Sequence, residues 1–417
     1  MASAERGLGP AYWWVWTASA LSNLADGVFK VAVPLLAVGL TRSPTLIAGL
    51  TFAFTLPWLL CALPAGALAD RLDRRRLMVG ANAVRAALLA TLVALVSLDA
   101  DSIAALYAVA LCAGTAETVH DTAAQSLVPR LVPRDRLPRA NGRLFAAELT
   151  ANEFVGPPLA GLLVVAGAAV ALGTPAALWA LTLPALLLMR PPRRADRSPE
   201  PDETRPGTLR ADILEGLRFL WGHRLLRTFA GMVGVFNFAS SGTQAVLVLY
   251  AVGPASPMGL SAESYGWLLS TVAAGSLLGS FLAEPAERLL GRTRALVVSL
   301  AAAAPLVGLP AATADPFLVG AGFLVGGAGL VVANVLMVSL RQRATPDRLL
   351  GRVNSGYRLV AWGAKPLGAL AGGVLAQLLG LRAVFLVMGL LALAVLAGLI
   401  RVTDDALAAA ERSADRA

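Results

Sequence analysis

The chemistry in this chain is carried by a few ionisable residues inside its apolar runs. In the N-terminal half these are Asp26, Lys30, Arg85, Glu117, His120, Asp121, Glu148 and Glu153. A charge at the centre of a bilayer costs ~2.5 kcal/mol or more on insertion scales, so such residues bind ions, move protons or pair with one another. Asp26 and Lys30 are four apart and placed to pair directly on one helix. Glu117, His120 and Asp121 fall at i, i+3 and i+4 on one face. That face suits a proton relay, or His120 and Asp121 snorkel toward Arg130 at the membrane surface. Zinc is the lesser reading, because His120 and His223 are the only histidines. Glu148 is five residues from Arg143 and can pair near the interface. Glu153 has no local partner, and a deep carboxylate without one suits a proton carrier. Asp26, Glu117, Asp121 and Glu153 are therefore the proton-coupling candidates. Arg85 reads as a structural cation, pairing with an acid on a neighbouring helix.

Lys30 and Lys365 are the only lysines among 35 basic residues, and both fall inside apolar runs. Lysine is a compact charge on a flexible stem. With the neutral polar residues Asn237, Gln244 and Asn334, they are candidates to line a substrate cavity. Two cations there would greet an anionic or catechol-like substrate.

The elements that position these groups follow from composition. The chain is 57% hydrophobic and 15% charged, with mean hydropathy +0.69. A soluble chain carries about 25% charged residues. The net charge of +9 does not indicate a nucleic-acid partner, because the arginines fall in short loops between apolar segments. Cys61 and Cys112 lie within such segments, which implies no disulfide framework. The first run is too long for a signal-peptide core and is expected to be retained.

Twelve segments are long enough to cross ~30 Å of hydrocarbon. They are Tyr12–Leu40, Leu46–Ala69, Leu77–Leu98, Ser102–Val128, Leu144–Gly167 and Val170–Met189, then Leu226–Val252, Ser264–Ala283, Ala295–Thr313, Phe317–Leu340, Ser355–Leu379 and Ala383–Ile400. The expected fold is an all-α integral membrane protein with twelve transmembrane helices in two six-helix halves, 1–189 and 225–400. A cytoplasmic linker, 190–224, joins them, and 401–417 is a cytoplasmic tail. Leu209 to Trp221 has an apolar face and reads either as a helix on the inner leaflet or as a plain linker helix. Arginines crowd alternate loops, which places both termini in the cytoplasm. Pro133 to Leu137 with Asn141 echoes Pro346 to Leu349 with Asn354, and each precedes a span rich in Pro and Gly. This is the mark of a duplicated six-span unit.

The loop from Gly66 to Leu77 reads GALADRLDRRRL. It resembles the signature loop of the major facilitator superfamily of transporters through Gly66, Asp70, Arg71, Arg74 and Arg75. Asp73 stands where the family has a second glycine, and aspartate tolerates the left-handed conformation better than most residues. Ser22 to Gly27, the Pro129 to Asn141 loop, and Gly351-Arg352-Val353 with Pro366-Leu367-Gly368 are similar to the branch that includes macrolide-efflux proteins and the enterobactin exporter. Gly156-Pro157, with Gly161 a turn later, resembles the antiporter signature of exporters. Small residues there let helices approach closely, and Pro157 and Pro158 favour a kink. The R-x-x-Q-G pattern of many drug–proton antiporters is absent from the fourth span.

The resemblance implies a secondary transporter working by alternating access. It would be a proton-coupled exporter of an amphipathic small molecule, a monomer in the inner (plasma) membrane without a cofactor. An ion-coupled importer and a lipid flippase of the same fold are the alternatives. Asp70 is expected to latch the cytoplasmic side at the start of the eleventh span, where unpaired backbone N–H groups attract a carboxylate and Arg352 or Arg358 can add a hydrogen bond. No phosphate-binding G-x-x-x-x-G-K-[ST] loop is present, so ATP is not expected to drive the chain. No nucleophile constellation suggests an enzyme.

Overall fold

A computed structural model describes residues 8–100, 102–189, 209–345 and 350–399. The expected linker run 190–208, the Pro346–Leu349 echo and the tail beyond 400 lie outside the described residues, as do the side chains of Asp70 and Arg352. In chain order the helices are α1 (Pro10–Leu40), α2 (Pro44–Leu60), α3 (Ala62–Arg71), α4 (Arg74–Ser97) and α5 (Ile103–Leu131). Next come α6 (Leu137–Glu148), a π-helical segment (Leu149–Val155), α7 (Gly156–Ala166) and α8 (Ala168–Leu188). They continue as α9 (Leu209–Gly222), α10 (Arg224–Ala251), α11 (Ala262–Leu290), α12 (Arg292–Ala303), α13 (Pro305–Ala312), α14 (Pro316–Arg343), α15 (Leu350–Leu379) and α16 (Leu381–Gly398).

Ten of the described spans are long and apolar enough to cross a membrane; α12 with α13, bent by 42° at a break before Pro305, makes an eleventh. The 17-residue α2 is shorter and runs into α3 through a break at Cys61. Short polar residues start the helices where the chain turns. Ser43, Ser102 and Asp315 each accept a backbone N–H in the first turn of α2, α5 and α14, satisfying a donor that would otherwise be orphaned.

The chain divides into two compact units, Met1–Ser198 with Ala251–Ser270, and Pro199–Tyr250 with Thr271–Ala417. In the first, α1 and α4 pack on α8, and α5 packs on α2 and α4. Val15, Ala18, Met78, Ala123, Leu127, Ala185 and Leu186 form a core there. The Tyr12 hydroxyl donates to Ala140 O at 2.9 Å and Trp16 Nε1 to Arg143 O at 3.2 Å, tying the start of α1 to α6. In the second unit α12 packs on α14, α13 on α16, and α15 on α9. Leu220 of α9 is buried and Leu217 lies against Gly356 of α15, so at these positions the apolar face of α9 meets protein.

The signature loop departs from the sequence expectation at Asp73. Its backbone is extended (φ −66°, ψ 114°), and its side chain accepts Arg76 N–H at 3.0 Å, capping α4. The aspartate replaces the family glycine by serving as a helix cap, not by adopting a left-handed turn. Arg75 does more than set topology. Its Nε donates to Leu186 O at 2.7 Å and its Nη2 to Leu187 O. These are terminal carbonyls of α8, which lack helical donors and attract a cation. Arg75→Leu is expected to lower stability by about 2 kcal/mol, read by chemical unfolding in detergent. The exposed Arg71→Leu should stay within about 0.5 kcal/mol.

Candidate functional site

Three helices of the first unit bring their charges together. Asp26 on α1 is 4% exposed and Arg85 on α4 is fully buried. Arg85 Nη1 donates to Asp26 Oδ1 and to Ser22 Oγ, both at 3.2 Å. The guanidinium stands 5.3 Å from the Trp179 ring of α8, which leans on Phe29. Lys30 Nζ lies 3.3 Å from Glu117 Oε1 on α5, with the Phe54 ring at 5.7 Å. The direct Asp26–Lys30 pair expected from spacing is therefore not formed. Spacing of i, i+4 makes two residues neighbours on a helix surface, but the short Asp26 meets Arg85 while the long Lys30 stem reaches α5.

Both pairs cost desolvation, and each is stable only because its partner is present. Several atoms in and around them are buried without a hydrogen-bond partner: Arg85 Nε and Nη2, Glu117 Oε2, His120 Nε2, Asn82 Oδ1 and Trp179 Nε1. His120 Nδ1 sits 3.2 Å from Asp121 Oδ1. In the neutral imidazole, a proton on Nδ1 facing Asp121 leaves Nε2 as an acceptor. Asn82 Nδ2 donates to Thr182 Oγ1 at 2.7 Å. Unpartnered donors and unpartnered acceptors thus coexist in and around the two buried pairs.

The fifth span is built to approach α1. Gly156 N–H reaches back five residues to Ala151 O, the π-helical bond. Pro157 and Pro158 have no N–H, so carbonyls among 152–154 lose their helical donors. Gly27 faces the Asn152 backbone with no room for a Cβ, and a Cβ on Gly156 would lie 2.7 Å from Gly27 Cα. Asn152 takes the buried place against α1, and Glu153, one residue on, is exposed. The burial expected of Glu153 is overturned by that π-helical turn. Glu148 is exposed too, and neither glutamate has an ion pair among the described residues. Arg143, the partner expected for Glu148, lies 5.1 Å from the Trp13 ring instead. Both glutamates remain within electrostatic reach of Lys30. Gly161 lies against Ala262 and Glu263 at the start of α11, again with no room for a Cβ.

The second unit's candidates are dispersed. Asn237 Nδ2 donates to Ala361 O at 2.7 Å and so ties α10 to α15. Gln244 bonds Ser240 on its own helix, Asn334 is exposed on α14, and Lys365 Nζ lies 4.5 Å from the Trp362 ring of its own helix. Sequence reasoning missed Ser22, Asn82, Trp179 and Thr182. Ser22 is four residues before Asp26, a readable signal; an aromatic such as Trp179 inside an apolar run carries none.

A family model described as transmembrane secretion effector matches residues 9–416. The multidrug efflux pump Tap of Mycobacterium tuberculosis is 29% identical over 92% of this chain and 90% of its own length. The enterobactin exporter EntS of Salmonella typhi is 28% identical over 83% of this chain and 80% of its own. Among solved structures, the nucleoside transporter NupG superposes with a TM-score of 0.71 at 13% identity, covering 94% of this chain and 98% of that one. A bacterial homologue of the iron transporter ferroportin, in its inward-facing state, gives 0.69 at 17% identity over 95% and 99%. At such identities the structural likeness speaks for the fold.

Proposed function

Since the chain belongs to the transmembrane secretion effector family, within the major facilitator superfamily of multi-pass membrane transporters, we propose that it is a proton-driven exporter of an amphipathic, positively charged small molecule. It works by alternating access as a monomer in the inner (plasma) membrane, with both termini cytoplasmic and Gly66, Asp70, Arg71 and Arg74 in its cytoplasmic gating loop. The exporter reading is supported by the relatives' printed roles, and the cytoplasmic termini by the arginine-rich loops.

The observation that carries the coupling is the fully buried Arg85 held by Asp26 beside Lys30 and Glu117. A proton on Asp26 removes the counter-charge of Arg85. An unpaired buried charge costs about 3–5 kcal/mol. Glu117, with Oε2 unpartnered, offers relief, while Lys30, one third exposed, turns to solvent. Two discrete arrangements result, and protonation selects between them.

Substrate charge follows from what stays uncompensated. Asp26 and Glu117 are neutralised by Arg85 and Lys30, whereas Asp121 accepts a hydrogen bond from a neutral His120 and keeps its charge. Asp121, partly exposed, therefore remains together with Glu148 and Glu153, both exposed. Exposed carboxylates within a span face a polar cavity in preference to lipid, and they favour a cation. The anionic substrate suggested by the two lysines is set aside, because Lys30 is held by Glu117.

Inside-out vesicles with an acidic lumen should accumulate a labelled lipophilic cation, and a protonophore should reduce accumulation to the passive leak. Accumulation that persisted without proton or sodium gradients and required ATP would overturn the reading.

A further inference from the structure

Ser270, in the third turn of α11, has one hydroxyl proton and two acceptors within reach. Phe154 O on the π-helical segment lies at 2.8 Å and Gly266 O, four residues back on its own helix, at 3.2 Å. The hydroxyl is in a side chain of a residue only 3% exposed. Phe154 O is one of the carbonyls left without a helical donor, because Pro158, four residues on, has no N–H. The surroundings hold the two groups together. The Gly266 backbone lies against Pro157 and Pro158, where a Cβ would overlap, and Gly161 meets Ala262 in the same way. The loop before α11 is folded on itself through Gly253 N to Leu260 O at 3.1 Å and Leu260 N to Ala251 O at 2.8 Å. It lies beside Arg42, whose Nη2 would be 3.3 Å from a Cβ on Gly253.

We propose that Ser270 is a two-position hydrogen-bond latch between α11 and the fifth span. Docked, its hydroxyl donates to Phe154 O. Released, it turns back to Gly266 O, so no hydroxyl is left unsatisfied in the membrane. Only Phe154 O then needs a new partner, which water in an opened seam supplies. The latch is thus worth a single hydrogen bond, weak enough to open in every cycle. Its role in transport rests on the alternating-access reading; the latch itself does not.

The test reads the seam directly, without substrate or gradient. Spin labels at Leu162→Cys on α7 and Trp267→Cys on α11, in a background lacking Cys61 and Cys112, report the separation of the two helices. Ser270→Ala should raise the released population about five- to tenfold, the loss of one hydrogen bond, and Ser270→Thr should restore the docked distance. Pro158→Ala returns an N–H within helical reach of Phe154 O. It should loosen the seam as Ser270→Ala does, and the double variant should be no looser than either single one. A distance distribution unchanged in both Ser270→Ala and Pro158→Ala, or effects that simply add, would overturn the latch. Failure of proton coupling would leave these distances as expected, so the two readings fail separately.

Discussion

Asp26→Asn should destabilise the protein by about 3–5 kcal/mol and stop proton-driven transport, the largest effect expected of any single change in this chain. The reason is the partner it leaves behind. Arg85 has no exposed surface, and its Nε and Nη2 already lack partners. Removing the carboxylate charge leaves a guanidinium in a low-dielectric interior with only Ser22 and the face of Trp179 to receive it. A second change separates structure from coupling. Asp26→Asn combined with Arg85→Met removes both charges at once, and replacing a buried ion pair by apolar groups is often close to neutral for stability. The double variant should therefore recover most of the unfolding free energy in detergent and still fail to pump. Vesicle transport restored along with stability would show that the pair is only scaffolding, and the coupling role would pass to Glu117.

The second large effect concerns the two exposed glutamates. Glu148→Gln with Glu153→Gln keeps shape and polarity and removes two charges. A carboxylate–ammonium contact at ~4 Å is worth ~4 kcal/mol at an effective dielectric of 20, before desolvation is subtracted. The net loss should appear as a ten- to hundredfold weaker transport of cationic substrates, with neutral ones of similar size changed about twofold or less. Binding assays on a matched pair of dyes, one cationic and one neutral, read the difference directly. Equal losses for both dyes would assign the glutamates a folding role and remove the argument for a cationic substrate.

Much of the architecture was legible before any coordinates. Apolar runs of sufficient length mark membrane helices because transfer into hydrocarbon is a sum over residues, and each residue contributes wherever its neighbours lie. The concentration of ionisable groups in the first half, and the resemblance carried by Gly66, Asp70 and Arg74, needed no coordinates either. The interruptions were less visible. The bend before Pro305, the break at Cys61 and the π-helical turn before Gly156 lie in segments that are apolar on nearly every side. Hydropathy there says nothing about which carbonyl each N–H reaches.

Partner choice was decided by the tertiary structure alone. The sequence offered Lys30 to Asp26 by spacing. The fold presented Arg85 from α4 to Asp26, and Glu117 from α5 to Lys30. Asp73 filled a family glycine position, yet it acts as a cap because the N–H of Arg76, in the first turn of α4, has no acceptor within the helix. Glu153 was expected to be buried by its depth along the span and was turned outward by one extra residue per turn. Membrane insertion is local and additive, so the sequence by itself determined which segments cross and which charges they carry. Pairing in a low dielectric depends on which opposite charge lies nearest in space, and only the packing of α1 against α4, α5 and α8 settles that.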